Sequence, residues 1–253
     1  MKTIAFVITW AVLVVAMPTT TEAGLVAYWN FNEGVGGTLG DSSANNNDGT
    51  LVGAVTWVAG HTGGGGDYAL DFAGTDADYV VVADHSSLHI NSTANKSFTI
   101  AAWLYNHGSH YGNIYCHGIN GARRISWQTE AFPQIDMCYI WSDDANGPRQ
   151  GYSAMTTLNT WQHIAVVCDG VNIKTYIDGL ETSSGAANTG LSAWGDLVYI
   201  GKAVPAYGQI VNGVIDDLVI FDSAEDVASI MNGTHADMGG GVSATPGTLI
   251  YGK

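Results

Sequence analysis

The chain carries little charge, and most of it is of one sign. Asp, Glu, Lys and Arg make up 12% of the 253 residues, against roughly a quarter in an average soluble domain. Lys and Arg number 8 against 23 Asp and Glu, for a formal net charge of -15. So acidic a surface argues against nucleic acid and anionic membranes as partners, whose phosphates need Lys and Arg. Proline is scarce at 5 residues, and no Pro- or Ser-rich linker divides the middle of the chain. One large domain is therefore expected rather than two small ones. After Met17 no run is long and apolar enough for an integral membrane span. Cysteine is limited to Cys116, Cys138 and Cys168, whose spacing fits no zinc or redox motif. Cys116 and Cys138 sit in neighbouring strand-like segments and could bridge, whereas Cys168, in the run IAVVC, is expected to be a buried thiol.

What is present begins with a leader. Lys2, an apolar run from Ile4 to Met17 and a polar stretch closing on Ala23 read as a secretory signal peptide over residues 1–23. The expected protein is secreted or held at the cell surface, with an uncleaved lipid or helix anchor as the alternative. The domain is expected over residues 24–232, and the Gly-rich stretch 233–253 as a linker or tail joining it to further domains.

Gly reaches 33 residues, and with Asn and Asp it separates short strand signals every ten or so residues, the pattern of an all-β sandwich. A hairpin with a type I′ turn is expected at Asp169-Gly170, because Asp-Gly tolerates positive φ. One short helix is expected from Ala224 to Met231, with Ser223 as N-cap and Gly233 as its stop.

The loop from Asp41 to Gly49 is dense in Asp and Asn, which suits calcium's preference for oxygen ligands on a tightly turning backbone. The other reading is a connection whose side chains bond their own backbone. His107, His110 and His117 with Cys116 have no regular spacing for zinc and read as loop histidines. From Tyr105 to Tyr152 aromatics crowd the chain, and Tyr111, Arg124, Trp127 and Trp141 are expected to contact a ligand, since sugar rings stack on Trp and Tyr and Arg reaches their hydroxyls. Core packing is the competing role for each aromatic.

Six marks in order carry a resemblance: DSSANNNDGTL from Asp41, ALDFAG from Ala69, DYVVV from Asp78, FTIAAW from Phe98, TWQHIAVVCDG from Thr160 and NGVIDDLVIF from Asn212. Together they resemble the laminin G-like branch of the concanavalin A-like jelly rolls. The resemblance implies an all-β, two-sheet antiparallel jelly-roll sandwich that binds glycans or proteins and often carries calcium. It implies a structural calcium ion held by Asp41 and Asp48 of the early loop and Asp216 of the late acidic pair, with Asn46 adding an oxygen. Trp103 and Trp161 fall in the family's strand marks and are expected in the core. Hydrolases of this fold use carboxylates in the pattern ExDxxE, which is absent: Glu22, Glu33, Glu130, Glu181 and Glu225 are scattered. Lyases of similar fold use a Gln-x-His strand, whereas Gln162 and His163 are adjacent. The expected function is thus a non-catalytic module for a carbohydrate or glycoprotein. The alternative is an adhesive or structural module whose partner is a protein.

Overall fold

The computed structural model describes residues 24–92, 94–108, 112–118, 124–129, 135–141, 149–150, 156–187, 195–203 and 208–238. The expected signal peptide and most of the expected tail lie outside them. The strands in chain order are β1 (Leu25–Trp29), β2 (Thr38–Leu39), β3 (Gly49–Val52), β4 (Thr56–Ala59), β5 (Tyr68–Ala73), β6 (Tyr79–Val82), β7 (Ser97–Asn106) and β8 (Gly112–Gly118). They continue with β9 (Arg124–Thr129), β10 (Ile135–Trp141), β11 (Arg149–Gln150), β12 (Trp161–Asp169), β13 (Asn172–Ile177), β14 (Leu180–Ala186), β15 (Val198–Ile200) and β16 (Asn212–Phe221). One short helix, α1 (Val227–Met231), follows the last strand.

These strands make the expected antiparallel sandwich. One sheet, here the front sheet, runs β14-β13-β12-β7-β16-β5-β4, with β1 also paired to β16; the back sheet runs β11-β10-β9-β8-β15-β6-β3-β2. Successive residues of a strand point to opposite faces. In β7, Phe98, Ile100, Ala102 and Leu104 therefore enter the core between the sheets, beside Ile164 and Val166 of β12, Ile215 and Ile220 of β16, and Trp127 and Ile125 of β9.

The outer face of the front sheet is divided. Over one half, Ala101, Ala165, Val219 and Phe221 lie beneath Val227 and Ile230 of α1. The small alanines leave room for the helix to approach. The other half of this face carries the site described below.

Local turns differ in detail from the sequence reading. The hairpin between β12 and β13 forms, but its central residues are Gly170 and Val171, of which Gly170 alone has positive φ, the pattern of a type II′ turn. Asp169 accepts the Val171 and Asn172 N–H groups instead of occupying the turn. The type I′ signature falls at the next Asp-Gly pair, where Asp178 and Gly179 both have positive φ between β13 and β14. The helix is capped by Asp226, whose carboxylate accepts the Ala228 and Ser229 N–H groups; Ser223 hydrogen-bonds Glu225. Cys168 is a buried thiol as expected, and burial pushes its pKa up. Cys116 and Cys138 lie on β8 and β10, opposite neighbouring residues of the intervening β9, and the Cys138 side chain lies outside the described residues.

Gly201 ends β15 at a φ of +84°, and a Cβ there would stand 2.4 Å from the Phe72 ring in the core. Gly201→Ala therefore adds backbone strain to overpacking, and should lower the free energy of unfolding by about 2–4 kcal/mol. Denaturant unfolding would measure this loss, and a change within error would show that the Phe72 ring yields freely.

Candidate functional site

The site begins at a break in β16. Along one edge β16 pairs with β7, but its other edge changes partner: Asn212–Ile215 face β5, and Leu218–Phe221 face β1. At the change, the register against β7 slips between Asp216 and Val219, and Asp217 adopts a φ of +48°. This bulge adds a residue to one strand and leaves the Asp216 and Asp217 carboxylates side by side where the neighbouring ladder is interrupted.

The loop between β4 and β5 fills that gap. The Gly60 N–H donates to the Asp67 carbonyl, and the Asp67 carboxylate accepts the Thr62 N–H at 2.9 Å and its hydroxyl at 2.6 Å, closing the loop on itself. His61 is thereby held so that its backbone N–H and its ring Nδ1 both reach Asp216 Oδ2 at 2.9 Å. Asp217 Oδ2 stands 3.7 Å from the same ring nitrogen, and Asp217 Oδ1 accepts the Tyr28 hydroxyl at 2.8 Å.

Burial opposes a charge on His61, but its hydrogen bond to Asp216 and the carboxylates of Asp216, Asp217 and Asp67 outweigh burial and hold the imidazole above its ordinary pKa. Burial raises Asp216, with His61 opposing. Burial and then the Asp216 charge push Asp217 up to about 7. Tyr28 is raised by its burial and by Asp217.

Aromatic rings extend from this pair across the sheet. The His61 ring stacks on Trp103, with centroids 4.4 Å apart and planes 11° from parallel. Strand register sets the remainder in two rows on the outer face: Asp216, Trp103 and His163 in one, and Asp71, Val214, Tyr105 and Trp161 in the next. His163 meets the Trp103 edge at 5.3 Å, and Tyr105 meets both Trp161 at 5.6 Å and His107 at 5.3 Å. His107 Nε2 lies 3.4 Å from Asp71 Oδ1. Trp103, Tyr105 and Trp161 are half-buried and His107 is exposed, whereas His163 is buried. Burial, followed by the nearby His61 charge, lowers His163 to about 4, so its imidazole is neutral at pH 7.

The sequence reading placed several roles elsewhere. Trp103 and Trp161, expected in the core, lie on the outer face. Trp127, expected to touch ligand, is packed in the core at 1% exposure. Its strand alternates, and its ring points between the sheets. Tyr111 and the side chains of Arg124 and Trp141 lie outside the described residues. His61 and Asp67 were missed because a Gly-rich hairpin loop carries no motif and only the gap in β16 brings it to Asp216, and Asp71 and His107 because only strand register sets them beside the aromatic rows.

The early acidic loop is built as an Asx-rich connection. Asp41 Oδ1 accepts the Tyr28 and Ser43 N–H groups, and its Oδ2 accepts the Ser43 hydroxyl and the Asn47 N–H, at 2.7–2.9 Å. Asp48 accepts the Asp41 N–H at 2.8 Å, and Asn46 is exposed with φ +56°. Trp29 anchors the loop from the core through Nε1 to the Asn47 carbonyl. The Asp41 carboxylate is thus already surrounded by donors, which does not suit a cation. Asp216 fits one better: it is fully buried, and among the described residues its Oδ1 has no hydrogen-bond partner. Its neighbours as potential metal ligands are His61 and Asp67, not Asp41 or Asp48.

The sandwich agrees with sequence comparison. The family model for the concanavalin A-like lectin/glucanases superfamily, of laminin G type, matches residues 73–231. The chain belongs to this superfamily. No curated protein matches it. Among solved structures, this superfamily member is similar to domain 4 of AbnA, an extracellular GH43 arabinanase from Geobacillus stearothermophilus, in complex with arabinotriose. The TM-score is 0.65 at 19% identity, covering 82% of this chain and 98% of that one. It is also similar to the binding domain of Paraclostridial Mosquitocidal Protein 1, with a TM-score of 0.58 at 15% identity over 83% of this chain and 52% of that one. A structure of botulinum neurotoxin type C, whose cell entry depends on two ganglioside molecules, gives 0.60 at 17% identity over 83% and 51%. The chain therefore spans nearly all of the arabinanase domain and about half of each toxin chain. Among the described residues no helix is long and apolar enough to cross a membrane.

Proposed function

We propose that this chain is a secreted, non-catalytic module that binds a carbohydrate, free or on a glycoprotein, on the open half of the front sheet's outer face. The observation that carries this reading is the registered pair of rows holding Trp103, Tyr105 and Trp161 beside His61, Asp71 and His107. Apolar sugar faces stack on aromatic rings, and the carboxylates and imidazoles between them accept and donate hydrogen bonds to hydroxyls. The superfamily and its neighbours support it: one structure holds arabinotriose, and one toxin depends on gangliosides. Secretion rests on the leader. The calcium ion implied by the resemblance would be held by Asp216 and Asp67, giving the bulge a fixed countercharge.

The test is retention of the purified protein on a panel of immobilised polysaccharides, in calcium and in excess chelator. Retention on one or two polymers is expected, with Trp161→Ala, at the end of the aromatic row, eluting earlier. Retention unchanged in Trp161→Ala would place the sugar elsewhere on the surface, and no retention on any polymer would favour a protein partner.

A further inference from the structure

A second group of donors lies away from this face, where β6 leaves the back sheet. Val198 of β15 pairs with Val82 of β6 on one side and with His117 of β8 on the other. This places His117 on the core side of the sheet near the end of β6. Asp84 follows β6 by two residues, and a 3-10 turn over Ser86–Leu88 then reverses the chain. Leu88 and Ile90 are both buried, and they fix His89 between them. The result brings the end of β6 and the turn that follows it to His117 of β8, 33 residues beyond Asp84.

His89 Nε2 stands 2.9 Å and His117 Nε2 3.3 Å from the same oxygen, Asp84 Oδ1. The three ligand atoms all lie within 4.8 Å of one another, and the two imidazole rings are 5.9 Å apart, tilted by 35°. Two imidazole nitrogens and one carboxylate oxygen form a donor set that suits zinc and its neighbours, whereas calcium and magnesium prefer oxygen alone. The side chains are graded in exposure: 0% for His117, 29% for His89 and 31% for Asp84. An ion could therefore enter from solvent and keep a coordination position open to it.

We propose that Asp84, His89 and His117 form a binding site for a divalent transition ion of the zinc class, these three being its ligands among the described residues, with a position open to solvent. An ion of this class held by two imidazole nitrogens and one carboxylate keeps one net positive charge, which favours water, hydroxide or an anionic group in the open position. The site pins the end of β6 and the 3-10 turn to β8. It is independent of the carbohydrate reading, and either can fail alone.

The experiment is calorimetric titration of the chelator-stripped protein with zinc chloride, with long-range proton-nitrogen spectra of the histidine rings read at each point. The expected result is one equivalent bound at this site, with the Nε2 signals of His89 and His117 shifting together, undisturbed by excess calcium. His89→Ala should weaken zinc binding roughly 100-fold or more, since losing even an outer partner of a ligand costs about 10–100-fold. Because His89 is partly exposed, the variant should keep its unfolding temperature, and Asp84→Asn provides a second variant with the same expectation. His61→Ala, at the other donor group, should leave this binding intact. Absence of zinc binding at micromolar concentrations, binding undiminished in both His89→Ala and Asp84→Asn, or binding lost only in His61→Ala would overturn the proposal.

Discussion

At pH 8 in excess chelator, Asp217→Asn should unfold at a higher temperature than the unaltered protein, and the two should converge as the pH falls towards 4. Folding raises the Asp217 carboxyl from an ordinary value of 3.8 to about 7, through burial and then the charge of Asp216. Below the unfolded value the group is protonated in both states and costs nothing. Between about 4 and 7 the folded protein holds a proton that the unfolded chain has released, so stability falls with rising pH; above 7 the penalty is fully present. Asn is neutral throughout, and its advantage must therefore grow across that window. The rise from 3.8 to about 7 sets a ceiling near 4 kcal/mol. Asp217 is still 23% exposed, and solvent screening reduces the effect to about 1–2 kcal/mol, or about 3–6 °C in a chain of this size. The Tyr28 hydroxyl keeps a partner in the Asn carbonyl. Calorimetric scans at half-unit pH steps would measure the difference, and a gap equal at pH 4.5 and pH 8 would refute the charge argument.

Trp103→Ala should produce the largest loss of carbohydrate binding, about 10- to 100-fold. Trp103 lies in the middle of its row, stacked on His61 and flanked by His163. Removing it takes away a stacking platform and also the support that holds His61 in plane. Losing an aromatic contact of this kind costs about 1.5–3 kcal/mol, which corresponds to that range of affinity. Tyr79→Ala, on the outer face of the back sheet beside Tyr199, is the matched control and should bind normally. Affinity electrophoresis in gels containing the retained polysaccharide separates the cases. Equal mobility shifts for Trp103→Ala and the unaltered protein would dismiss the front sheet as the binding face.

Much of the architecture was legible in the sequence because it is a local matter. Alternation in FTIAAWLYN and WQHIAVVCD, Asp-Gly pairs at reversals and a capped helix after NGVIDDLVIF all follow from backbone geometry within a few residues. Even the corrections there are small: the type I′ turn belongs to Asp178-Gly179, and Asp226 caps the helix in place of Ser223. Which face of a strand meets the core was not legible. Both sets of alternate residues in β7 are apolar or aromatic, Phe98, Ile100 and Leu104 on one side and Ala101, Trp103 and Tyr105 on the other, and a period of two cannot rank them. The partner sheet and the short helix made that choice, which sent Trp127 inward and Trp103 outward.

The functional chemistry divides in the same way. The acidic pair Asp216-Asp217 and the Asp41 loop stood out in the sequence, since carboxylates and amides in clusters are visible without coordinates. The tertiary structure separated them: it satisfied Asp41 with local N–H donors and gave Asp216 to His61, from a loop 155 residues away. It likewise drew Asp84, His89 and His117 from a strand end, a turn and a distant strand. By itself the sequence determined the fold, the superfamily and the acidic, weakly charged surface, because these depend on residue type and short-range order. Only the tertiary structure decided which rings are exposed and which polar groups share a pocket, because strand register and a bulge bring together residues that have no relation along the chain.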